Sequence, residues 1–266
     1  MCFMTFASTP VKQYRSASLT HIDPSMPTEE ILRILQERHF STLPVMRDGK
    51  LLGIVSITDL AKLGCMTLAG FPHQKTQVPS RSAADVMSSP VVTIDEEEPI
   101  QKAAQRMLDH KIHRVVATRA GAPVGILSTR DLMAAVRDHR VETKLREVTT
   151  YDVETIDMDA SIVDAIATLA LANVHGLVVV DGGWPVGVFT RLETIYAQSL
   201  PAQLREQAVE RIMSYETICF DENTPIYRVA GHAVSMGARR VLVVRDRELV
   251  GIASGFDLAR VVAGIA

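Results

Sequence analysis

The stretch Gly53–Leu60, GIVSITDL, returns three more times along the chain. The later versions are GILSTRDL at 125–132, GVFTRLET at 187–194 and GIASGFDL at 251–258. Each has a glycine, two apolar residues, a serine or threonine, two variable residues and an acid. A hydroxyl and a carboxylate three residues apart, after an apolar run, indicate a junction where a strand ends and a helix begins.

The four closing acids set a register that other residues keep. Asp59, Asp131, Glu193 and Asp257 lie 72, 62 and 64 residues apart. Eighteen residues before them stand Ser41, His113, His175 and Arg239, and thirty-two residues before them stand Pro27, Pro99, Ser161 and Pro225. These constant offsets predict four copies of one structural unit, because a repeated unit keeps its internal spacing.

Within a copy the signals follow the order strand, helix, strand, strand, helix. In copy 2 the apolar run PVVTID comes first, and Pro99 stands where a helix can begin, since proline suits a first helical turn. IQKAAQRMLDHKI then has apolar residues at helical spacing, and RVVAT and PVGILS are strand-like runs around a tight turn. We predict an α/β chain of four β-α-β-β-α units that pair, because one unit is marginal for burying a core alone.

This order, the repeated ending and the basic pair His113–Arg114 resemble cystathionine-β-synthase (CBS) domains. The resemblance covers residues 18–64, 83–137, 145–197 and 208–263, which follow an N-terminal segment at 1–17. It implies two tandem Bateman modules in a disc-like arrangement, with copies 1 and 2 in one module and copies 3 and 4 in the other. No catalytic or DNA-binding domain is left over beside the four copies.

Two interpretations of the hydroxyl and the acid stay open. In the first they form a capping box, in which the hydroxyl accepts an early backbone N–H of the helix and the acid accepts the N–H of the cap. In the second the helix N-terminus favours a phosphate and the carboxylate accepts the hydroxyls of a ribose. The CBS resemblance implies the second, with adenine lying between strands of the paired copies.

The resemblance also assigns residues to this site. The implied ribose ligands are Asp59, Asp131, Asp257 and the longer Glu193. The implied phosphate contacts are Ser56, Thr58, Ser128, Arg130, Thr190 and Ser254, together with the basic residues His113, Arg114, Arg239 and Arg240. Metal ligands and catalytic residues are not expected.

Differences between the copies favour the first module as the ligand site. Thr58 and Arg130 directly precede the acid, where capping requires no particular residue but a phosphate favours a hydroxyl or guanidinium. Leu192 and Phe256 hold that position in copies 3 and 4. The basic pair of copies 2 and 4 is replaced by Ser41–Thr42 in copy 1 and by His175–Gly176 in copy 3, which predicts one strong phosphate-binding set per module.

The expected function is regulation. We expect an adenosine ligand (AMP, ADP, ATP, S-adenosylmethionine or NAD) whose occupancy is transmitted to a regulated partner protein, with no obligatory cofactor. The alternative is a scaffold for association in which the four motifs are only helix caps. An enzyme is the third class, and the sequence places no group to act as its catalyst. A homo-oligomer, such as a dimer, is expected in either of the first two cases.

Composition sets further limits on the 266-residue chain. Its net charge of -3, with lysines and arginines dispersed, argues against direct nucleic-acid binding. Cys2, Cys65 and Cys219 are too few and too widely spaced for a disulfide framework or a zinc site, and the eight histidines lack metal-binding spacing. The sequence has no leader pattern and no apolar run of membrane-span length. A cytoplasmic protein is expected.

Overall fold

The structure, a computed structural model, describes residues 6–63, 81–172, 174, 176–198, 200–215, 217–246 and 248–265. The chain folds into two compact units. One comprises Met1–Leu19, Val92–Val153 and Glu216–Ala266, and the other comprises Thr20–Val91 and Glu154–Tyr215. The first therefore contains copies 2 and 4, and the second contains copies 1 and 3. We call them the 2/4 unit and the 1/3 unit.

Every copy contributes a small sheet and two helices. Copy 1 has α1 (Thr28–Glu37), β1 (Thr42–Arg47), β2 (Lys50–Ser56) and α2 (Ile57–Ala61). A short α3 (Ala83–Val86) precedes copy 2, which has β3 (Thr93–Asp95), α4 (Ile100–Asp109), β4 (Arg114–Arg119), β5 (Ala122–Ser128) and α5 (Thr129–Asp138). Copy 3 has β6 (Thr155–Asp157), α6 (Ile162–Leu171), β7 (Gly176–Asp181), β8 (Trp184–Thr190) and α7 (Arg191–Gln198). A short α8 (Ala202–Arg205) precedes copy 4, which has β9 (Thr217–Asp221), α9 (Ile226–Met236), β10 (Arg240–Arg245), β11 (Glu248–Ser254) and α10 (Gly255–Ala263).

The sheets show that the four copies are equivalent. In copies 2, 3 and 4 the first strand pairs parallel to the second, and the second pairs antiparallel to the third. All four antiparallel pairs shift register at the same place, as between Val45 and Met46 in copy 1 and between Ala117 and Thr118 in copy 2. Copy 1 departs in one respect, because its first strand is reduced to a single parallel bridge between Ile22 and Val45.

The first helices of copies 1, 2 and 4 begin one residue after the prolines that the sequence placed in the first helical turn. Pro27, Pro99 and Pro225 are the N-cap residues rather than part of the first turn. Their fixed φ and extended ψ suit that place, and a proline has no backbone N–H to leave unpaired. In copy 3 Ser161 takes the same position, and its hydroxyl accepts the N–H of Asp164 at 3.0 Å.

Each copy is covered by a short leader segment that comes before a neighbouring copy. The first leader, residues 6–16, bridges copy 2 through Pro10 and Pro99, and Ser82–Ser88 bridges copy 1. Lys144–Thr150 bridges copy 4 in the same way, and Ala208–Ser214 bridges copy 3. The leaders thus exchange between copies 1 and 2 and between copies 3 and 4, which are the pairs that form the predicted modules. The segment 6–16 therefore packs as part of copy 2.

Helix packing joins copies 2 and 4 into a single apolar core. The helix α5 packs on α9, and α10 packs on α4. Met107, Leu132, Ala230 and Leu258, from four different helices, are all buried in this one core. In the 1/3 unit the described residues form two separate cores, one around Ile31 of copy 1 and one around copy 3.

Among the described residues, no helix combines the length and the apolar character that crossing a membrane would require.

Candidate functional site

The capping box exists at the end of each sheet. In copy 2 the backbone N–H and the hydroxyl of Ser128 both donate to Oδ2 of Asp131, at 2.7 and 2.6 Å. Ser56 makes the same bonds to Asp59 at 2.8 and 2.6 Å, and Ser254 makes them to Asp257 at 2.7 Å each. In copy 3 Thr190 bonds Glu193 through its N–H at 2.8 Å and also through its hydroxyl. Capping is therefore real in every copy, and in the three aspartates it uses the Oδ2 oxygen.

The four acids differ in how far they are open to a ligand. Asp59 and Asp131 are half-buried. Glu193 and Asp257 are each only 6% exposed, and the Oδ1 atom of Asp257 accepts a further bond from Arg260 at 3.1 Å. Thr190 is 4% exposed. Access to a ribose thus favours the acids of copies 1 and 2 over the predicted ribose ligands of copies 3 and 4.

The residue opposite each cap separates the copies further. Thr42, Arg114, Gly176 and Arg240 are the cross-strand partners of the cap residues Ser56, Ser128, Thr190 and Ser254. Directly opposed residues have Cβ atoms about 4.5–5.5 Å apart. An arginine therefore flanks the cap in copies 2 and 4 and in neither of the other copies. Both of these copies lie in the 2/4 unit.

The N-termini of the second helices of copies 2 and 4 approach each other closely. A Cβ atom placed on Gly255, the first residue of α10, would lie 2.7 Å from Oγ1 and 2.9 Å from Cβ of Thr129, the first residue of α5. Only a glycine allows this approach without displacing its neighbour. Each helix N-terminus carries a partial positive charge. The two N-termini together favour an anion.

Basic side chains from both copies gather at this place. His113 precedes β4, and its ring lies 4.2 Å from the ring of Phe256 in the first turn of α10, measured between centroids. Arg114, Arg239 and Arg240 all act electrostatically on His113. We call His113, Arg114, Arg239 and Arg240 the basic cluster. The sequence assigned its two halves to separate modules, whereas the structure brings them together in one unit.

Burial and mutual repulsion lower the pKa values of two residues of the basic cluster. The pKa of His113 is lowered to about 4, first because protein packed around the ring limits its hydration and then because Arg114, Arg240 and Arg239 repel a second charge. By its surface area His113 is nevertheless an exposed residue. Burial and Arg239 lower the pKa of Arg114 to about 10. An anion bound among these positive charges would offset their mutual repulsion.

The acid beside the cluster is also perturbed. Burial raises the pKa of Asp131, against the bonds from Ser128 and the nearby charges of Arg130 and Arg114, which lower it. Desolvation of this carboxylate would strengthen any hydrogen bond that it accepted from a ligand. A half-buried carboxylate next to a cationic cluster has the charge pattern that a phosphorylated sugar requires.

The remaining predicted contacts take different positions. Arg130 donates from Nη2 to the backbone oxygen of Val234 at 2.7 Å, so it links copy 2 to the end of α9. Thr58 is exposed on α2. The hydroxyls of Ser56 and Ser254 each also accept a backbone N–H of the following helix, at 3.3 Å. The prediction for His175 lies outside the described residues, as do those for Cys2 and Cys65.

Two features of the site were missed by sequence reasoning. Gly255 is the only glycine at the first helical position after the four caps, which was a signal of close approach. Phe256 was interpreted as a position without polar function, yet it holds the ring of His113. Within the described part of the chain, no group of three or more histidine, cysteine, aspartate or glutamate side chains is placed to hold a metal ion.

Comparison with known proteins agrees with this architecture. The family model of the CBS domain matches residues 11–64, 83–138, 145–198 and 209–264. The chain belongs to the CBS-domain family, with four repeats that correspond to two tandem Bateman modules.

Known proteins match nearly the whole chain. Protein MJ1404 of Methanocaldococcus jannaschii is 26% identical over 278 residues, which span 96% of this chain and 62% of that protein, so part of the relative has no counterpart here. The crystal structure of protein MJ1225 from the same organism superposes with a TM-score of 0.73 at 18% identity, covering 95% of this chain and 99% of the other. A conserved protein from Pyrococcus horikoshii gives 0.67 at 20% identity, covering 96% and 100%. These structural likenesses establish the fold alone.

Proposed function

We propose that the chain is a regulatory protein that binds an adenosine phosphate at the copy 2 junction. Asp131 would accept the ribose hydroxyls, and the basic cluster would bind the phosphate. The observation that carries this proposal is the meeting of two helix N-termini and four basic side chains beside a half-buried carboxylate in the 2/4 unit.

Charge selects among the ligands that the family resemblance implies. The cluster repels a proton from His113, so it favours a ligand that brings negative charge. AMP, ADP and ATP end in a phosphate that can reach the cluster, whereas S-adenosylmethionine carries a positive sulfonium in that region. In NAD the two phosphates link the two nucleosides, so neither of them is a terminal phosphate. We therefore propose an adenine mononucleotide as the regulatory ligand.

The experiment is a binding measurement with a paired control. AMP, ADP and ATP are titrated into the full chain by calorimetry, with adenosine as the ligand that lacks phosphate. Arg239→Ala removes one cation of the cluster, and Arg33→Ala removes an exposed arginine of α1. The first variant should weaken AMP binding by roughly tenfold or more, because a charged hydrogen bond is lost. The second should bind as the natural chain does.

The outcome decides the proposal. If none of the three nucleotides binds at millimolar concentration, or if Arg239→Ala and Arg33→Ala bind equally, the cluster is not a phosphate site. A nucleotide present at a hundred times its Kd should also stabilise the fold by about 2.7 kcal/mol, which gives an independent readout of binding in thermal unfolding.

A second function is supported by the capping boxes themselves. Copies 1, 2 and 4 have complete capping boxes, and Thr190 bonds Glu193 in copy 3, so the motifs would be present in a scaffold that binds nothing. Under that proposal the chain associates with itself or a partner, and nucleotides leave its unfolding unchanged. Both proposals place the chain in the cytoplasm, without catalytic activity, acting as a dimer or with a regulated protein.

A further inference from the structure

We propose that Arg130 is a ligand-sensitive link that couples the copy 2 junction to the last turn of α9 in copy 4. The inference rests on the proposed function for the identity of the ligand, and on the structure alone for the link. In the present structure the Nη2 atom of Arg130 donates to the backbone oxygen of Val234 at 2.7 Å.

The end of α9 depends on this bond. The last four carbonyl groups of a helix have no partner inside it, and Val234 carries one of them because α9 ends at Met236. The last turn of α9 holds no basic residue of its own, although a cation there would favour the helix dipole. Arg130 supplies that cation from another copy. Gly237, at φ +76°, ends the helix beside this bond, and a Cβ there would be in ordinary contact with Nη2 of Arg130 at 3.6 Å.

The same guanidinium belongs to the ligand junction. Arg130 precedes Asp131 in the first turn of α5, and its charge acts on that carboxylate. A phosphate accepts two parallel bonds from a guanidinium, which is stronger than one exposed bond to a carbonyl. A phosphorylated ligand at Asp131 therefore competes with Val234 for Arg130.

Copy 2 differs from the other copies in having this link. The residues that correspond to Arg130 are Thr58, Leu192 and Phe256, and none of them has a cation to offer. A ligand at copy 2 can therefore affect the end of α9 through Arg130, and the equivalent residues of the other three copies cannot form such a bond. Withdrawal of Arg130 loosens the end of α9, where Met236 is 66% exposed and available to a partner protein.

Hydrogen exchange measured by mass spectrometry tests both halves of the inference. Without ligand, Arg130→Gln should speed exchange of the amides at 235–239 by roughly two- to tenfold, which corresponds to losing one ordinary hydrogen bond. Exchange at the start of α9 should stay unchanged. Arg33→Gln, which removes an exposed arginine of α1, should change neither region.

Addition of AMP tests the ligand half. In the natural chain AMP should speed exchange at 235–239, and in Arg130→Gln it should cause no further change while thermal unfolding still shows that AMP binds. If AMP binds but exchange at 235–239 stays slow, or if Arg130→Gln leaves that region unchanged, the link is refuted. If AMP does not bind, the proposed function fails, and the ligand-sensitive half of the inference fails with it, whereas the unliganded Arg130→Gln result still decides the structural half.

Discussion

Protonation of His113 should be coupled to phosphate binding. In the unliganded protein its pKa is held at about 4 by burial and by Arg114, Arg240 and Arg239, so the ring is neutral at pH 7. A phosphate placed in the cluster adds negative charge beside the ring, which favours the charged imidazolium. Binding should therefore take up a proton, and the affinity should rise as the pH falls.

The size of the effect follows from the two pKa values. If the phosphate returns His113 to its ordinary pKa of about 6.5, the bound ring is about 90% protonated at pH 5.5 and about 10% protonated at pH 7.5. The unliganded ring is neutral at both. The linked gain in affinity is then about tenfold between these two pH values. The ligand phosphate has its own pKa near 6, and its titration acts on every variant alike.

The assay compares the natural chain with His113→Gln, which cannot take up the proton. Calorimetry with AMP in two buffers of different ionisation enthalpy measures proton uptake, and at pH 5.5 the natural chain should take up close to one proton more than the variant. The affinity ratio of the natural chain to the variant should grow about tenfold from pH 7.5 to 5.5. A ratio that stays flat would refute the placement of the phosphate beside His113.

Three other expectations can be tested with single substitutions. Asp131→Asn should weaken AMP binding by roughly tenfold, whereas Asp257→Asn, at an acid whose oxygens are both engaged by protein, should lower stability in thermal unfolding and leave binding nearly unchanged. Gly255→Ala should destabilise the fold by about 1–3 kcal/mol in urea unfolding, because its Cβ would lie 2.7 Å from the hydroxyl of the facing threonine. The control Gly231→Ala should be neutral or stabilising, because the atoms nearest to its Cβ would be 3.5 Å away. Glu96→Gln should speed proteolysis of the leader segment 6–16, because its buried carboxylate pairs with an arginine of that leader at 2.6 Å; equal cleavage rates would contradict this.

The repeat, the capping boxes and the helix starts could be predicted because each depends on residues that are close together in the sequence. A hydroxyl and an acid three residues apart form the same capping box in each copy, whatever the copy packs against. The helix starts after Pro27, Pro99 and Pro225 also follow from local backbone constraints. The absence of a full first strand in copy 1 was not predicted. Pro24 and a turn, in which the backbone N–H of Ser25 donates to Asp23 at 2.8 Å, interrupt that segment.

The grouping of the copies could not be predicted from one copy at a time. Each second helix has an apolar face, and that face does not say which other copy will cover it. The pairing of α5 with α9, and of α10 with α4, depends on complementary packing over residues far apart in sequence. The burial of Glu193 and Asp257 likewise depends on tertiary packing, which the spacing within one motif does not reveal.

The comparison of copies within one chain separates structural need from ligand chemistry. Features that all four copies share, such as the capping box, are explained by starting a helix after a strand and say little about a ligand. Features that differ at equivalent positions need another cause. Arg114 and Arg240 stand opposite their caps where Thr42 and Gly176 serve equally well for folding, and the fold then brings both arginines into one unit with two helix N-termini. Concentrating like charges costs stability, as the lowered pKa of His113 indicates, and the anionic ligand that we propose would remove this cost.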